Sequence, residues 1–161
     1  MTINATLTTF AAVGAATFGG VLYSFSAFVM RGLDRSPTSA AVLTMQQINL
    51  AAPRAPLLIV MVGTSVLCLA VAGLGLRAVI RGQAGPGTWL ALAGCVCFLA
   101  SIVITGVYHV PQNDAFASAA ADGPGAATAW SSYADPWLLW NHVRTGAALL
   151  GSLLLVLSLA V

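Results

Sequence analysis

Four apolar runs separated by polar connections organise the chain, at about Leu7–Met30, Leu57–Ile80, Trp89–Tyr108 and Trp137–Val161. Each reaches the roughly 20 apolar residues that a helix needs to cross a bilayer. Lipid offers no partner to backbone N–H and C=O groups, so each run is predicted to be a helix. The first run has no basic leader and is too long for a cleavable signal peptide. The expected object is a single integral membrane domain spanning residues 1–161. Its fold class is an all-α membrane protein, a four-transmembrane-helix bundle with both termini on one side.

The connections are unequal. Arg81–Gly87 (RGQAGPG) is a plain turn, whereas the first and third connections each exceed twenty residues and share a membrane face. Long connections without linker composition are usually functional. Short helices are predicted in both, at about 37–52 and 113–133. Ser36-Pro37 reads as a cap followed by a helix start, and Pro53 as a stop. Pro111 is expected to break the third helix, with Asn113 or Asp114 capping the next. Asp135-Pro136 is expected to start the fourth helix. Ala15/Gly19, Ala16/Gly20 and Ala93/Cys97 are small residues four apart, the spacing that lets helices approach in lipid.

Composition sharpens this picture. Only 6% of residues are charged and 59% are hydrophobic, with no Lys and no Glu; a soluble domain carries about 25% charged residues. A multi-pass cell-membrane location with the lipid bilayer as partner follows. Six scattered arginines make no basic patch, so nucleic acid is not a partner. Cys95 and Cys97 point to nearly opposite sides of a helix, against a disulfide or a shared metal. Arg77 and Arg81 stand on the short-turn side and Arg31, Arg35, Arg54 and Arg144 on the other. The positive-inside rule favours cytoplasmic long loops, but the vote is level if Arg54 and Arg144 serve a site, so sidedness stays open.

The scarce polar groups gather at one end. In PWLLWNHVRTG (Pro136–Gly146), Trp137, Trp140, Asn141 and Arg144 share one helical face, with His142 and Thr145 at its margin. Asn141 and Arg144 are expected to point inward, and Trp140, four residues from Arg144, to meet it in a cation–π contact. Gln46, Asn49, Arg54, His109 and Asn113 are expected at the same end. Asp114 is the only carboxylate close by in sequence. This set suits an oxygen-bearing lipophilic small molecule and suits a hard divalent cation poorly; no metal is expected. Blander readings stand beside it: an interfacial aromatic belt for the tryptophans, Tyr108 and Tyr133, snorkelling for Arg144, and interfacial hydrogen bonding for the histidines.

FSAFVMRGLDR (Phe25–Arg35), MQQINLAAP (Met45–Pro53), HVPQNDAF (His109–Phe116) and WLLWNHVRTGAALL (Trp137–Leu150) together resemble the anthrone-oxygenase-like family of small four-helix membrane proteins. His109 departs from the pattern, which usually has Asn there, and Gln112 stands where Leu is common. Some fungal relatives are similar to enzymes that oxidise anthrones to anthraquinones with dioxygen, without metal or flavin. The resemblance therefore implies a cofactor-free oxidoreductase. In that reading His142 is the general base. Arg144, Asn141 and Asn113 stabilise the oxyanion. Trp137 and Trp140 stack on substrate rings, and Gln46, Asn49, His109 and Arg54 complete the substrate site. Two other readings remain open: haem held by His109 and His142, as bundles do hold such groups, and a non-enzymatic small-molecule binder or accessory membrane subunit. No metalloprotease, P-loop or dinucleotide motif is present, and a homo-oligomer is allowed.

Overall fold

The computed structural model describes residues 2–54 and 56–161, and all regular structure among them is helical. Helix α1 spans Ile3–Ser24 and runs through a π-helical turn, Phe25–Val29, into α2, Met30–Asp34. Helix α3 is Thr38–Ala51 and α4 is Leu57–Ile80. Helix α5, Pro86–Ile104, likewise passes through a π-helical turn, Thr105–His109, into α6, Val110–Phe116. Helix α7 covers Ala126–Ser158. Three continuous segments are long and apolar enough to cross a membrane: Ile3–Asp34, Leu57–Ile80 and Pro86–Phe116. This is a membrane protein on that ground.

Helices α1, α4, α5 and α7 form a ring in which each packs on two neighbours. One end gathers Thr2, Ala78, Pro86 and Ser158, and the other gathers Leu22, Leu57, Thr105 and Arg144. Neighbours in the ring therefore run antiparallel. Phe18 and Phe98 meet edge to face at 5.9 Å in the ring's core, together with Ala11, Ala15, Cys68, Cys95, Ala148 and Leu155. A second apolar cluster, built from Met30, Val42, Met45, Phe116, Trp130, Tyr133 and Trp137, closes one end of the ring.

Close approach uses fewer small residues than the sequence offers. A Cβ on Gly94 would lie 2.9 Å from the Gly151 carbonyl oxygen, and one on Gly151 would lie 2.8 Å from that of Gly94. The α5–α7 crossing is a backbone-to-backbone contact that only glycine permits. Ala15 and Gly19 also face inward, with Gly19 against Leu149. Ala16/Gly20 and Ala93/Cys97 do not form the expected contacts. Ala16, Gly20 and Ala93 are exposed and Cys97 is only half-buried. Gly94, Cys95, Phe98 and Ser101 supply the face of α5 that packs.

Two expected helix boundaries are also corrected. Neither proline marks a helix boundary. Pro136 lies inside α7, and a stripe of buried residues continues through it: Trp130, Tyr133, Trp137, Asn141, Arg144, Ala148, Gly151 and Leu155. Tertiary contact along the whole stripe outweighs the one ladder hydrogen bond that proline removes. Pro111 is absorbed by the preceding π turn, where the Val110 N–H donates to the Thr105 carbonyl, five residues back. The short helices expected within 113–133 are placed differently: α6 ends at Phe116, turns follow, and the turns carrying Trp130 and Tyr133 are the start of α7, which begins at Ala126.

Candidate functional site

A cavity of about 210 Å3 lies where the ring core meets the closing cluster. Both π-helical turns border it, through Phe25 on one side and Thr105 and His109 on the other. A π turn accommodates one more residue per turn than an α-helix, and such turns occur frequently at functional sites. Here they rotate Phe25 and His109 toward the interior. Asn49 enters from α3, Asn113 and Asp114 from α6, and Trp137 and Arg144 from α7.

Arg144 is 6% exposed, and its guanidinium carbon sits 5.2 Å from the Trp137 ring centroid. Its Nε donates to Asn141 Oδ1 at 3.0 Å and Nη1 donates to Thr105 Oγ1 at 3.3 Å. Asn141 is fully buried; its Nδ2 donates to the Leu22 carbonyl and to Ser26 Oγ, both at 2.9 Å. The amide thus ties α7 to α1 and aims the guanidinium. No carboxylate among the described residues pairs with Arg144, and the residue lines the cavity. A buried cation without a counter-ion is a receptor for an anionic or partly anionic oxygen.

A second network joins Asn113, Tyr133, Trp137 and Asn49. Asn113 Oδ1 accepts from Tyr133 Oη at 2.8 Å and from Trp137 Nε1 at 3.0 Å. Asn49 Nδ2 donates to Tyr133 Oη at 3.0 Å. With Oδ1 doubly engaged, the Asn113 amide nitrogen is left as a donor. Burial pushes the Tyr133 phenol above its ordinary range, so it remains a neutral donor to Asn113.

His109 is 1% exposed, and neither ring nitrogen has a hydrogen-bond partner. Its ring stands edge-on to Trp137 at 5.1 Å and to Tyr108 at 5.4 Å. A buried imidazole with both nitrogens unmatched costs about 1–3 kcal/mol per missing bond. It borders the cavity.

The structure gathers Arg144, Asn113, Asn49, His109 and Trp137 around one space and places Asn141 directly behind Arg144. It leaves out four residues expected there. His142 is exposed and its Nδ1 faces Ser26 Oγ at 2.9 Å. Because Asn141 donates to that hydroxyl, the Ser26 proton is left for His142. His142 therefore reads the back of the Asn141 network and does not reach the cavity. Trp140, 40% exposed, packs at a tilt against Tyr108 at 5.2 Å, while Trp137 takes the cation–π position over Arg144. Gln46 is a tie between loops: its Nε2 donates to the carbonyls of Phe116 and Ala119 at 3.1 and 3.0 Å. Arg54 is exposed on the turn after α3.

His109 and His142 do not border a shared space, so the arrangement does not fit haem held between them. Among the described residues no three His, Cys, Asp or Glu side chains come together as a metal site. The belt reading fails for Trp130 and Tyr133, which are buried; Trp130 Nε1 donates to Asp34 Oδ1 at 3.2 Å. Thr105, Ser26 and Tyr133 are site-building residues that sequence reasoning missed. The three- and four-residue spacing from Trp130 through Leu155 is the signal that places Tyr133 on the inward face.

A family model described as anthrone oxygenase matches residues 55–154, well over half of the chain. The match contains HVPQNDAF and WLLWNHVRTGAALL and stops short of the α1–α3 stretches. No curated protein and no solved structure matches.

Proposed function

The chain belongs to the anthrone oxygenase family, and from that premise we propose that it is a cofactor-independent oxygenase of lipophilic phenols or anthrones that uses dioxygen. It would act as a single four-span domain in the cell membrane, α7 supplying the fourth crossing. Asn141, His142 and Arg144 lower the apolarity of α7, yet two of these three turn inward, away from lipid. The observation that carries the proposal is Arg144, buried without a counter-ion beside the unpartnered His109 on one cavity wall.

His109 takes the role first given to His142, because it borders the cavity and neither ring nitrogen is engaged in a hydrogen bond. It accepts a proton from the acidic carbon of an anthrone or from a phenol. The resulting carbanion or phenolate puts negative charge on oxygen, and Arg144 with the Asn113 amide stabilises it. The electron-rich ring passes one electron to dioxygen; superoxide and the organic radical then combine as a peroxide at the same carbon. In an anthrone, loss of the second C–H proton from that carbon breaks the O–O bond and gives a carbonyl; in a phenol, whose first proton came from the hydroxyl, the single C–H proton of the para carbon is lost instead. One dioxygen is consumed, one oxygen atom enters the product and the other leaves as water. Trp137 and Phe25, 5.6 Å apart, form the aromatic wall.

Purified protein in lipid nanodiscs, treated with chelator, is expected to consume oxygen with an anthrone or a long-chain phenol unsubstituted at the para carbon as substrate. Arg144→Gln should lower the rate by about 100-fold, the loss typical of one oxyanion donor. Oxygen uptake no faster than in empty nanodiscs would remove the oxygenase reading.

A further inference from the structure

The cavity is covered along the ring axis and open at its side. Toward the loops, Met45, Phe116, Trp130, Tyr133 and Trp137 pack in one apolar cluster, and Asn49, Tyr133 and Asn113 are hydrogen-bonded in series. At the side, helix α4 packs on α1 and α5, and among the described residues neither π turn nor α6 packs substantially on it. The first turn of α4 therefore stands apart from α6. Residues that both border the cavity and are exposed mark the opening. They are Val21 on α1, Leu58 on α4 and Val110 on α6, with Ala52, Pro53 and Asp114 completing the edge nearest the loops.

The depth of this opening says what lies outside it. Val21, Leu58 and Val110 all belong to segments apolar enough to cross a membrane. At about 1.5 Å per residue they stand roughly 27, 33 and 36 Å from the opposite ends of those segments, at Ile3, Ile80 and Pro86. The hydrocarbon core of a bilayer is about 30 Å thick, so the opening falls where acyl chains meet headgroups. Asp114, one turn beyond Val110, is a carboxylate that resists hydrocarbon and marks the headgroup edge.

We propose that the cavity exchanges its ligand sideways with the bilayer, through the opening between α1, α4 and α6. This rests on reading the cavity as the substrate site and adds the source of the substrate. That source is the membrane itself, and the substrate is an amphiphile with its aromatic body among acyl chains and its oxygen near the headgroups. Partitioning concentrates such a molecule at the depth of the opening. It reaches the cavity without crossing the packed loops or returning to water.

Exchange rates of the full chain in nanodiscs test this. Anthrone binding is followed by stopped-flow quenching of tryptophan emission in a Trp89→Phe/Trp140→Phe background, which removes the exposed tryptophans and keeps the buried Trp130 and Trp137. Val21→Phe/Leu58→Phe narrows the opening, Val21→Ala/Leu58→Ala widens it, and Ala52→Phe crowds only its loop edge. The narrowed variant should bind and release anthrone about tenfold more slowly, the effect of a barrier about 1.4 kcal/mol higher, with Kd changed less than about twofold. Val110→Phe, made independently, should slow exchange in the same way. The widened variant should be faster in both directions, and Ala52→Phe should match the parent. Slowing by Ala52→Phe, with parental rates in the narrowed variant, would overturn the proposal in favour of entry past the loops. Rim variants that shift Kd without slowing release would also overturn it, because Val21 and Leu58 would then be binding surface and no passage. Absence of saturable quenching would sink the ligand site and the route together. Parallel rim effects on both rates without oxygen uptake on any substrate would sink the oxygenase reading alone. Oxygen uptake with slowing confined to Ala52→Phe would sink the sideways route alone.

Discussion

The Arg144 guanidinium lies over the Trp137 ring, 5.2 Å from its centroid, although seven residues separate the two. At about 100° per residue, a separation of seven returns to within about 20° of the same azimuth, against about 40° for four. Helical side chains also lean toward the N-terminus, so Arg144 reaches back up α7 toward the cavity. Trp140, nearer in sequence, points outward and packs at a tilt against Tyr108.

This geometry makes the guanidinium shape important in addition to its charge. Arg144→Lys keeps a cation but cannot reproduce both the Nε bond to Asn141 and the Nη1 bond to Thr105. We expect about a tenfold loss of affinity for a phenolic ligand, some 1.4 kcal/mol, measured by titration. Wild-type affinity in the lysine variant would show that charge alone suffices.

Asn141→Leu removes the donor to the Leu22 carbonyl and to Ser26, and strips Arg144 of its acceptor. Leaving these buried groups unmatched should cost about 1–3 kcal/mol each, read as a lowered denaturation midpoint in detergent. An unchanged midpoint would mean that water replaces the amide.

The glycine contacts separate two kinds of small residue. Gly151→Ala puts a methyl 2.8 Å from a backbone oxygen that cannot move aside cheaply, and should destabilise by about 1–3 kcal/mol through overpacking. Gly20→Ala meets nothing within 4 Å and should be neutral or slightly stabilising, since alanine is the better helix former. Parallel thermal melts check the pair; equal behaviour would contradict the close α5–α7 crossing.

Tyr133 sets an alkaline limit. Its phenol is pushed up by burial, so folding favours the protonated form. That contribution is fully present below the unfolded value of about 10 and is lost as pH rises through the higher folded value. Stability should therefore decline above about pH 10, and Tyr133→Phe should flatten the decline while lowering stability at neutral pH. The same slope in both proteins would place the alkaline transition elsewhere.

Gln46→Ala cuts the bonds to the Phe116, Ala117 and Ala119 carbonyls that hold the chain after α6. Backbone amides between residues 117 and 125 should exchange faster with deuterium while those of α5 and α7 keep their protection. Unchanged exchange in that stretch would show that the closing cluster holds it without Gln46.

The apolar runs, the all-helical class and the membrane setting were legible in the sequence because hydropathy is local and lipid forbids unpaired backbone. Inward placement of Asn141 and Arg144 was legible too, from the periodicity of α7. Its continuation through Pro136 was equally written in the Trp130–Leu155 spacing, but a local proline signal pointed the other way.

What the tertiary structure alone decided is which histidine meets the cavity. Counting along a regular helix fixes azimuth only while every turn has the same number of residues. The π turn at Thr105–His109 adds one, an offset of about 100°, and no local residue pattern marks it. It turns His109 inward, while His142, on the unbroken α7, is carried outward to Ser26. Sequence determined which residues reach this end of the bundle, because length and apolarity fix depth. Packing between helices distant in the chain determined which of them share a cavity.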